Sequence, residues 1–365
     1  MSESVRSHYE KYPYPYFSLL ASVRTSDTYA LNLTALWGRF NGTLPPKSFQ
    51  RVLIAGCGSF SPYPFSLANG AAEITALDLS AGSLRRARLH CLLHGRFNVK
   101  YLSGDLLDQS VAAGPFGLID AYGVLHHLDD PLAGFRALEA RLAPGGILRI
   151  MIYNRYARRE EESIRRAFRL MDIHDTAGVK ALVRRSAPDS RLRDFFNTSL
   201  EAGYDAGLAD ALLHPRVHTY RIDELLEIID RSGLELLQCT HFGACECVED
   251  EIARIRQLET HRESCGNFQL YLGRKTTRGQ SADGNSHIVL NPCLQGSVGP
   301  LQLGSLQIPP RFGFENPPLG WRERRFLNSF RHPVPTRSLN PEMRAAVNVY
   351  KRILFLIEYD SDFSL

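Results

Sequence analysis

The chain has 365 residues and carries 43 Lys and Arg against 39 Asp and Glu, a net charge of +4 that is too small to argue for a nucleic-acid partner by itself. Hydrophobic residues make up 44% and charged residues 22%, which excludes a disordered chain and fits a globular protein long enough for more than one core. No apolar run reaches the roughly 18 residues of a membrane span, MSESVRSHYEKYPYPYF lacks the apolar centre of a signal peptide, and the seven scattered cysteines form no disulfide framework; a reducing cytoplasm without membrane contact is expected.

The first 50 residues contain Tyr9-Glu10-Lys11-Tyr12-Pro13-Tyr14-Pro15-Tyr16-Phe17, an aromatic run stiffened by proline and expected to fold as a lid with some helix. From 51 to 275 short apolar strands alternate with helical patterns. Strands are expected at 51–55, 74–78, 98–102, 117–122 and 146–152, with helices at about 63–69, 81–94, 106–111 and 131–142 between them. Ser80 suits a helix N-cap, and Pro131 sits where a helix starts without losing a hydrogen bond. Near-continuous apolar strands joined by helices imply a mostly parallel sheet covered on both faces.

Residues 155–215 break this rhythm. They are helical, rich in Arg and Glu, and offer no strand, so they are expected to form a cap inserted over the carboxyl edge of the sheet, where open α/β folds bind ligands. Alternation resumes with a helix at 221–232, a strand at 234–240, a helix at about 248–263 and a strand at 267–273. A polar linker at 276–286 precedes a small basic α+β module at 287–365, with strands expected at 287–290 and 301–308 and a helix at about 340–357.

The chemistry concentrates where strands end. Val52-Leu53-Ile54-Ala55-Gly56-Cys57-Gly58-Ser59 is a strand that stops in two glycines, and Asp78 closes the next strand twenty residues beyond Gly58. The glycines admit close backbone approach and Asp78 can accept from ribose hydroxyls, the signature of an adenosine-containing cofactor. A dinucleotide site wants a third glycine, but Phe60, Ser61, Pro62 and Pro64 follow here, which disfavours phosphate. The helix starting near Pro62 is expected to offer its positive end to a carboxylate.

Together with Ile74 to Ser80, Ser103-Gly104-Asp105-Leu106, Phe116 to Leu128 and Leu142-Ala143-Pro144-Gly145-Gly146, this order resembles the class I S-adenosylmethionine-dependent methyltransferases of the small-molecule type, and the Tyr-Pro segment resembles one subgroup of them. The resemblance implies a doubly wound, Rossmann-like, mostly parallel seven-stranded sheet and S-adenosylmethionine as cofactor. It implies cofactor contacts from Gly56, Cys57, Gly58, Asp78, Leu79, Asp105, Leu106 and Tyr12. His126, His127 and Tyr122, at the edge of the fourth strand, are the candidate catalytic residues, each with a purely structural alternative. Where the family's first strand often carries an acid that helps hold the cofactor's amino group, this chain has Ile54.

His214, His218 and Tyr220 are further candidates for an acceptor pocket. His241, Cys245, Cys247, His261 and Cys265 match no standard zinc spacing, so no metal is expected. The function this suggests is methyl transfer to an O, N or C nucleophile of a small metabolite under the cap. Residues 311–352 hold nine Lys or Arg against three acids, interleaved with Phe312, Phe314, Trp321, Phe326, Phe330 and Tyr350. That composition leaves open an RNA or protein methyltransferase docking through the module and a homodimer formed by it, while Ile54 and Phe60 leave open a non-catalytic scaffold.

Overall fold

A computed structural model of the chain describes residues 3–274, 286–299 and 304–360. All but the last residue of the expected linker at 276–286 lies outside the described residues. The N-terminal part supplies α1 (Glu3–Lys11) and α2 (Leu33–Asn41). The alternating part then runs β1 (Arg51–Ala55), α3 (Pro62–Ala68), β2 (Glu73–Asp78), α4 (Ala81–Leu93), β3 (Val99–Ser103), β4 (Phe116–Tyr122), α5 (Pro131–Glu139) and β5 (Leu142–Ile152). Four helices follow: α6 (Arg159–Leu170), α7 (Thr176–Arg185), α8 (Arg191–Thr198) and α9 (Asp205–Leu213). The sheet is completed by α10 (Ile222–Arg231), β6 (Leu234–Cys239), α11 (Val248–Thr260) and β7 (Phe268–Arg274). The C-terminal part holds β8 (Ser286–Leu290), α12 (Trp321–Asn328), β9 (Val334–Pro335), α13 (Pro341–Arg352) and β10 (Leu356–Asp360).

Seven strands form one sheet in the order β3-β2-β1-β4-β5-β7-β6, parallel except for β7, which runs antiparallel to both neighbours. This is the expected doubly wound, Rossmann-like fold. The order reverses at β1, which pairs with β2 on one side and β4 on the other, so the crevice opens beyond Ala55 and Asp120. The helix starts are fixed as the sequence suggests. Ser80 accepts from the amide of Ser83, and Asp130 accepts from Ala133 with Pro131 at the first turn. A second sheet, β10-β8-β9, is antiparallel.

Four expectations about elements need correction. Residues 106–111 are not helical: the Asp105 and Asp108 side chains take the amides of Leu107 and Ser110, and the buried Arg141 guanidinium gathers the carbonyls of Leu106, Asp108 and Ala112. The helix expected at 131–142 stops at Glu139, because β5 begins at Leu142 and passes Gly145 and Gly146 through a register shift opposite Phe116. The strand expected over 301–308 lies partly outside the described residues; within 304–308, Leu306 makes a single bridge to Leu319. The helix expected at 340–357 ends at Arg352, Leu354 turns the chain at φ 65°, and Leu356 onwards pairs with β8. A buried apolar run cannot be assigned to helix or strand by pattern alone.

One continuous apolar cluster joins the N-terminal part (Tyr29, Leu33, Phe40), one face of the sheet (Val52, Ile54, Leu118) and the C-terminal part (Leu290, Phe330, Phe355). Phe330 and Phe355 are wholly buried, each worth about 2–3 kcal/mol of apolar transfer. Phe312, Phe314 and Tyr350 are buried in the same cluster and Phe326 packs against it, leaving Trp321 exposed. The basic module therefore does not present a row of aromatics as a stacking surface. The 155–215 block has a small core of its own built on Phe168, Val179 and Leu208.

Candidate active site

The turn after β1 is shaped by two glycines at positive φ, 71° at Gly56 and 56° at Gly58. A Cβ on Gly56 would stand 2.5 Å from Val124, and one on Gly58 would stand 2.5 Å from the Tyr14 carbonyl. The Gly56 and Cys57 amides donate to the Leu77 carbonyl, the Gly58 amide donates to Asp78 Oδ2 at 2.8 Å, and the Ser59 amide donates to the Tyr14 carbonyl. Asp78 Oδ1 also accepts from the Ser80 amide at 2.8 Å. Burial raises the Asp78 carboxyl above its ordinary value, opposed by these amides. Pro62 and Pro64 remove two further donors, and α3 has only seven residues, so the anion seat expected at its start is not built.

Beyond the turn lies a cavity of about 300 Å³. His214, His218 and Tyr220, expected around an acceptor, are not on its wall; of the expected cofactor and catalytic residues, Gly56, Cys57, Gly58, Asp78, Leu79, Tyr122 and His127 line it. Four do not. Tyr12 turns away, its ring packed 5.6 Å from that of His8, and Tyr9 and Tyr14 take the wall instead. Leu106 is buried in the core beneath the sheet edge, and Asp105 Oδ1 holds the Leu107 amide. His126 is wholly buried, stacked on Tyr153 with centroids 3.7 Å apart, and its carbonyl accepts from the His218 amide. That makes its role structural.

Tyr122 lies under the Arg149 guanidinium, 4.2 Å from its centroid, and Arg149 is paired at 2.6 Å with buried Asp120. Burial raises the Tyr122 pKa, the Arg149 cation opposes that rise, and the ring lines the cavity wall. His127 is placed differently. Its Nδ1 donates to the Arg216 carbonyl at 2.8 Å, which leaves Nε2 without a hydrogen in the neutral ring. Burial lowers the His127 pKa to about 3, so the ring is neutral. His214, 3.7 Å from it by centroids, has the opposite tautomer because its Nδ1 accepts from the Arg216 amide.

The cap completes the cavity with residues the sequence reading missed. Asp210, within α9, accepts from the Tyr9 hydroxyl at 3.0 Å and is pushed up to about 6 by burial. Glu201 accepts from the Tyr14 hydroxyl at 3.2 Å. Tyr153 and Arg158 lie on the same wall, with the guanidinium 4.1 Å above the ring. A lone acid inside the otherwise apolar stretch Ala206 to Leu212 was a readable signal for Asp210; Glu201 carried none. His8, Asp210 and His214 bring ligand atoms within 4.8 Å of one another. The His214 tautomer places a hydrogen on Nε2, and the Nε2 atoms of His8 and His214 are both buried with no hydrogen-bond partner among the described residues. Elsewhere, His241 Nε2 meets Glu251 at 2.5 Å in a buried pair.

Residues 53–150 match the family described as "Methyltransferase domain". That stretch is a methyltransferase domain. Among solved structures, PKMT2 from Rickettsia typhi in complex with AdoHcy is similar over 96% of this chain and 78% of that one, with a TM-score of 0.55 and 14% identity, a likeness of fold. An uncharacterized protein of Synechococcus sp. is 29% identical over 329 residues, covering 81% of this chain and 78% of the relative. A ubiquinone biosynthesis O-methyltransferase of Xanthomonas axonopodis pv. citri is 37% identical over 106 residues, 29% of this chain and 44% of the relative. The chain thus spans less than half the length of that relative. The cofactor of the methyltransferase domain is S-adenosylmethionine. The site fits a phosphate-free ligand: the amides of Gly56 to Ser59 are all engaged, and the half-buried Asp78 carboxylate lines the cavity beside them.

Proposed function

We propose that the protein transfers the methyl group of S-adenosylmethionine to an O, N or C nucleophile of a small molecule held between the sheet tips, the N-terminal arm and the cap. The observation that carries this reading is the enclosed cavity, whose one wall is the glycine turn with Asp78 and whose other wall offers Asp210, Tyr9 and His127 Nε2. Likeness to an enzyme named for O-methylation in ubiquinone biosynthesis supports a small acceptor.

The cofactor, when bound, supplies a methyl carbon already activated by a sulfonium. The protein then has to orient, desolvate and hold a proton. Asp78 accepts from the ribose hydroxyls. Asp105, beside the Gly104 amide that donates to the Asp78 carbonyl, is the acceptor we assign to the adenine amino group. Arm residues Tyr14 and Pro15 close over Gly58 and Ser59 and keep water from the turn. His127 Nε2, bare and neutral, accepts a hydrogen bond from the acceptor's nucleophile and orients it.

The test is incubation with S-adenosylmethionine labelled in the methyl group, alongside a cell extract split into metabolites, protein and RNA. Label in a low-mass product of the metabolite fraction supports the reading. Label confined to protein or RNA contradicts it.

A further inference from the structure

The methyl donor ends in an α-amino acid, a carboxylate and an ammonium on one carbon. Both need partners, and the glycine turn has few to give. The amides of Gly56, Cys57, Gly58 and Ser59 are engaged, Pro62 and Pro64 have none, and both Asp78 oxygens hold backbone amides. β1 ends in apolar residues, with Ile54 only 1% exposed in the core. Among the described residues of the cavity wall, Arg158 is the only Lys or Arg.

Resting on the function proposed above, we propose that Arg158 and Glu201, both beyond the sheet, form the seat of the donor's amino-acid tail. The pair matches a zwitterion. Arg158 Nη1 lies 3.6 Å from Glu201 Oε2, so one ligand carbon bearing both charges can face them together. Both are held in place before a ligand arrives. Arg158 is 9% exposed, lies flat on Tyr153, and spends Nε on Asn267 and Nη1 on Glu161. No hydrogen bond of Nη2 is found among the described residues, and Nη2 is the nitrogen we assign to the tail carboxylate. Glu201 is fixed by the Tyr14 hydroxyl, and the Tyr14 carbonyl lies against Gly58. Tyr14 therefore spans from the glycine turn to the acid and sets the seat beside the turn. Glu201 receives the ammonium. Asp210, held by Tyr9, is left for the acceptor.

The seat is tested by calorimetry with two ligands, S-adenosylhomocysteine and 5′-methylthioadenosine, which shares the adenosine and thioether but lacks the tail. Arg158→Gln and Glu201→Gln are each expected to weaken S-adenosylhomocysteine about tenfold or more while leaving 5′-methylthioadenosine within about twofold of wild type. Equal loss for both ligands in both variants overturns the seat, because it marks a damaged cavity. Unchanged affinity for S-adenosylhomocysteine in both variants also overturns it. Wild type that binds neither ligand overturns the proposed function instead.

Discussion

Asp78 is the residue on which cofactor binding turns. It ends β2, is half-buried, and holds the turn amide of Gly58 while facing the cavity. Asp78→Ala is expected to weaken S-adenosylhomocysteine at least tenfold, about 1.4 kcal/mol, in calorimetry; an unchanged dissociation constant refutes its role. Gly58→Ala puts a Cβ 2.5 Å from the Tyr14 carbonyl at positive φ. It is expected to cost about 1–3 kcal/mol in denaturant unfolding and to loosen the arm, read as faster proteolysis near Tyr14. At this scale the sequence was informative for Gly56, Gly58 and Asp78, because a strand ending in glycine or acid is a local signal. It could not separate His126 from His127, which are adjacent and alike in sequence. Only the Arg216 carbonyl, 89 residues away in the chain, separates the ring that faces the cavity from the one stacked on Tyr153.

Among elements, the arm and the cap meet over the carboxyl edge of the sheet, and there the histidines gather. His8 of α1 is lowered to about 4 by burial and Lys11, His127 to about 3, and burial lowers His126 and His214 as well. Arg158 and Arg165 face the cluster and act in the same direction. A ring with a depressed folded pKa contributes stability in full above the unfolded value of 6.5 and loses it as pH falls, at about 1.4 kcal/mol per ring per pH unit. Asp210, raised to about 6, runs the other way together with Asp78 and Asp120, whose carboxyls burial also raises, three groups against four. Stability is therefore expected to drop between about pH 6.5 and about pH 4, with a shallower drop in His214→Gln, measured by thermal melts across that range. A melting temperature independent of pH there contradicts the neutral cluster. The sequence places the arm as a lid and 155–215 as a cap over this edge, but no local pattern shows that their histidines meet. Glu201 and Asp210 reach the cavity only through packing of α6 on α9 and the folding of the cap around Phe168 and Leu208.

Considered whole, the chain has a C-terminal part built into the same core as its first forty residues and the sheet. β10 packs on α2, the Asp360 amide donates to the Gly42 carbonyl, and a Cβ on Gly38 would stand 2.3 Å from Ile357. Ending the chain at residue 274 uncovers Tyr29, Leu33 and Phe40, and such a fragment is expected to be insoluble or molten, read by near-ultraviolet circular dichroism and exposed apolar surface. A sharp cooperative melt of that fragment contradicts this. Phe355→Ala, at a wholly buried ring beside Tyr29, is expected to cost about 3–5 kcal/mol in denaturant unfolding. The strands of the sheet were legible because most are short apolar runs with a turn signal at their end. The C-terminal part was not. Its aromatics and arginines read as a surface, since composition cannot tell a ring aimed inward from one aimed at solvent, and the run Ile353 to Ile357 fits a helix as well as a strand.

A crystal structure of the protein grown with S-adenosylhomocysteine tests the central claim most directly. The account predicts the ribose on Asp78, the thioether sulfur facing Tyr9, Asp210 and His127, and the amino-acid tail between Arg158 and Glu201. A crevice that stays empty at saturating ligand, or one that takes a pyrophosphate-bearing nucleotide in its place, contradicts it.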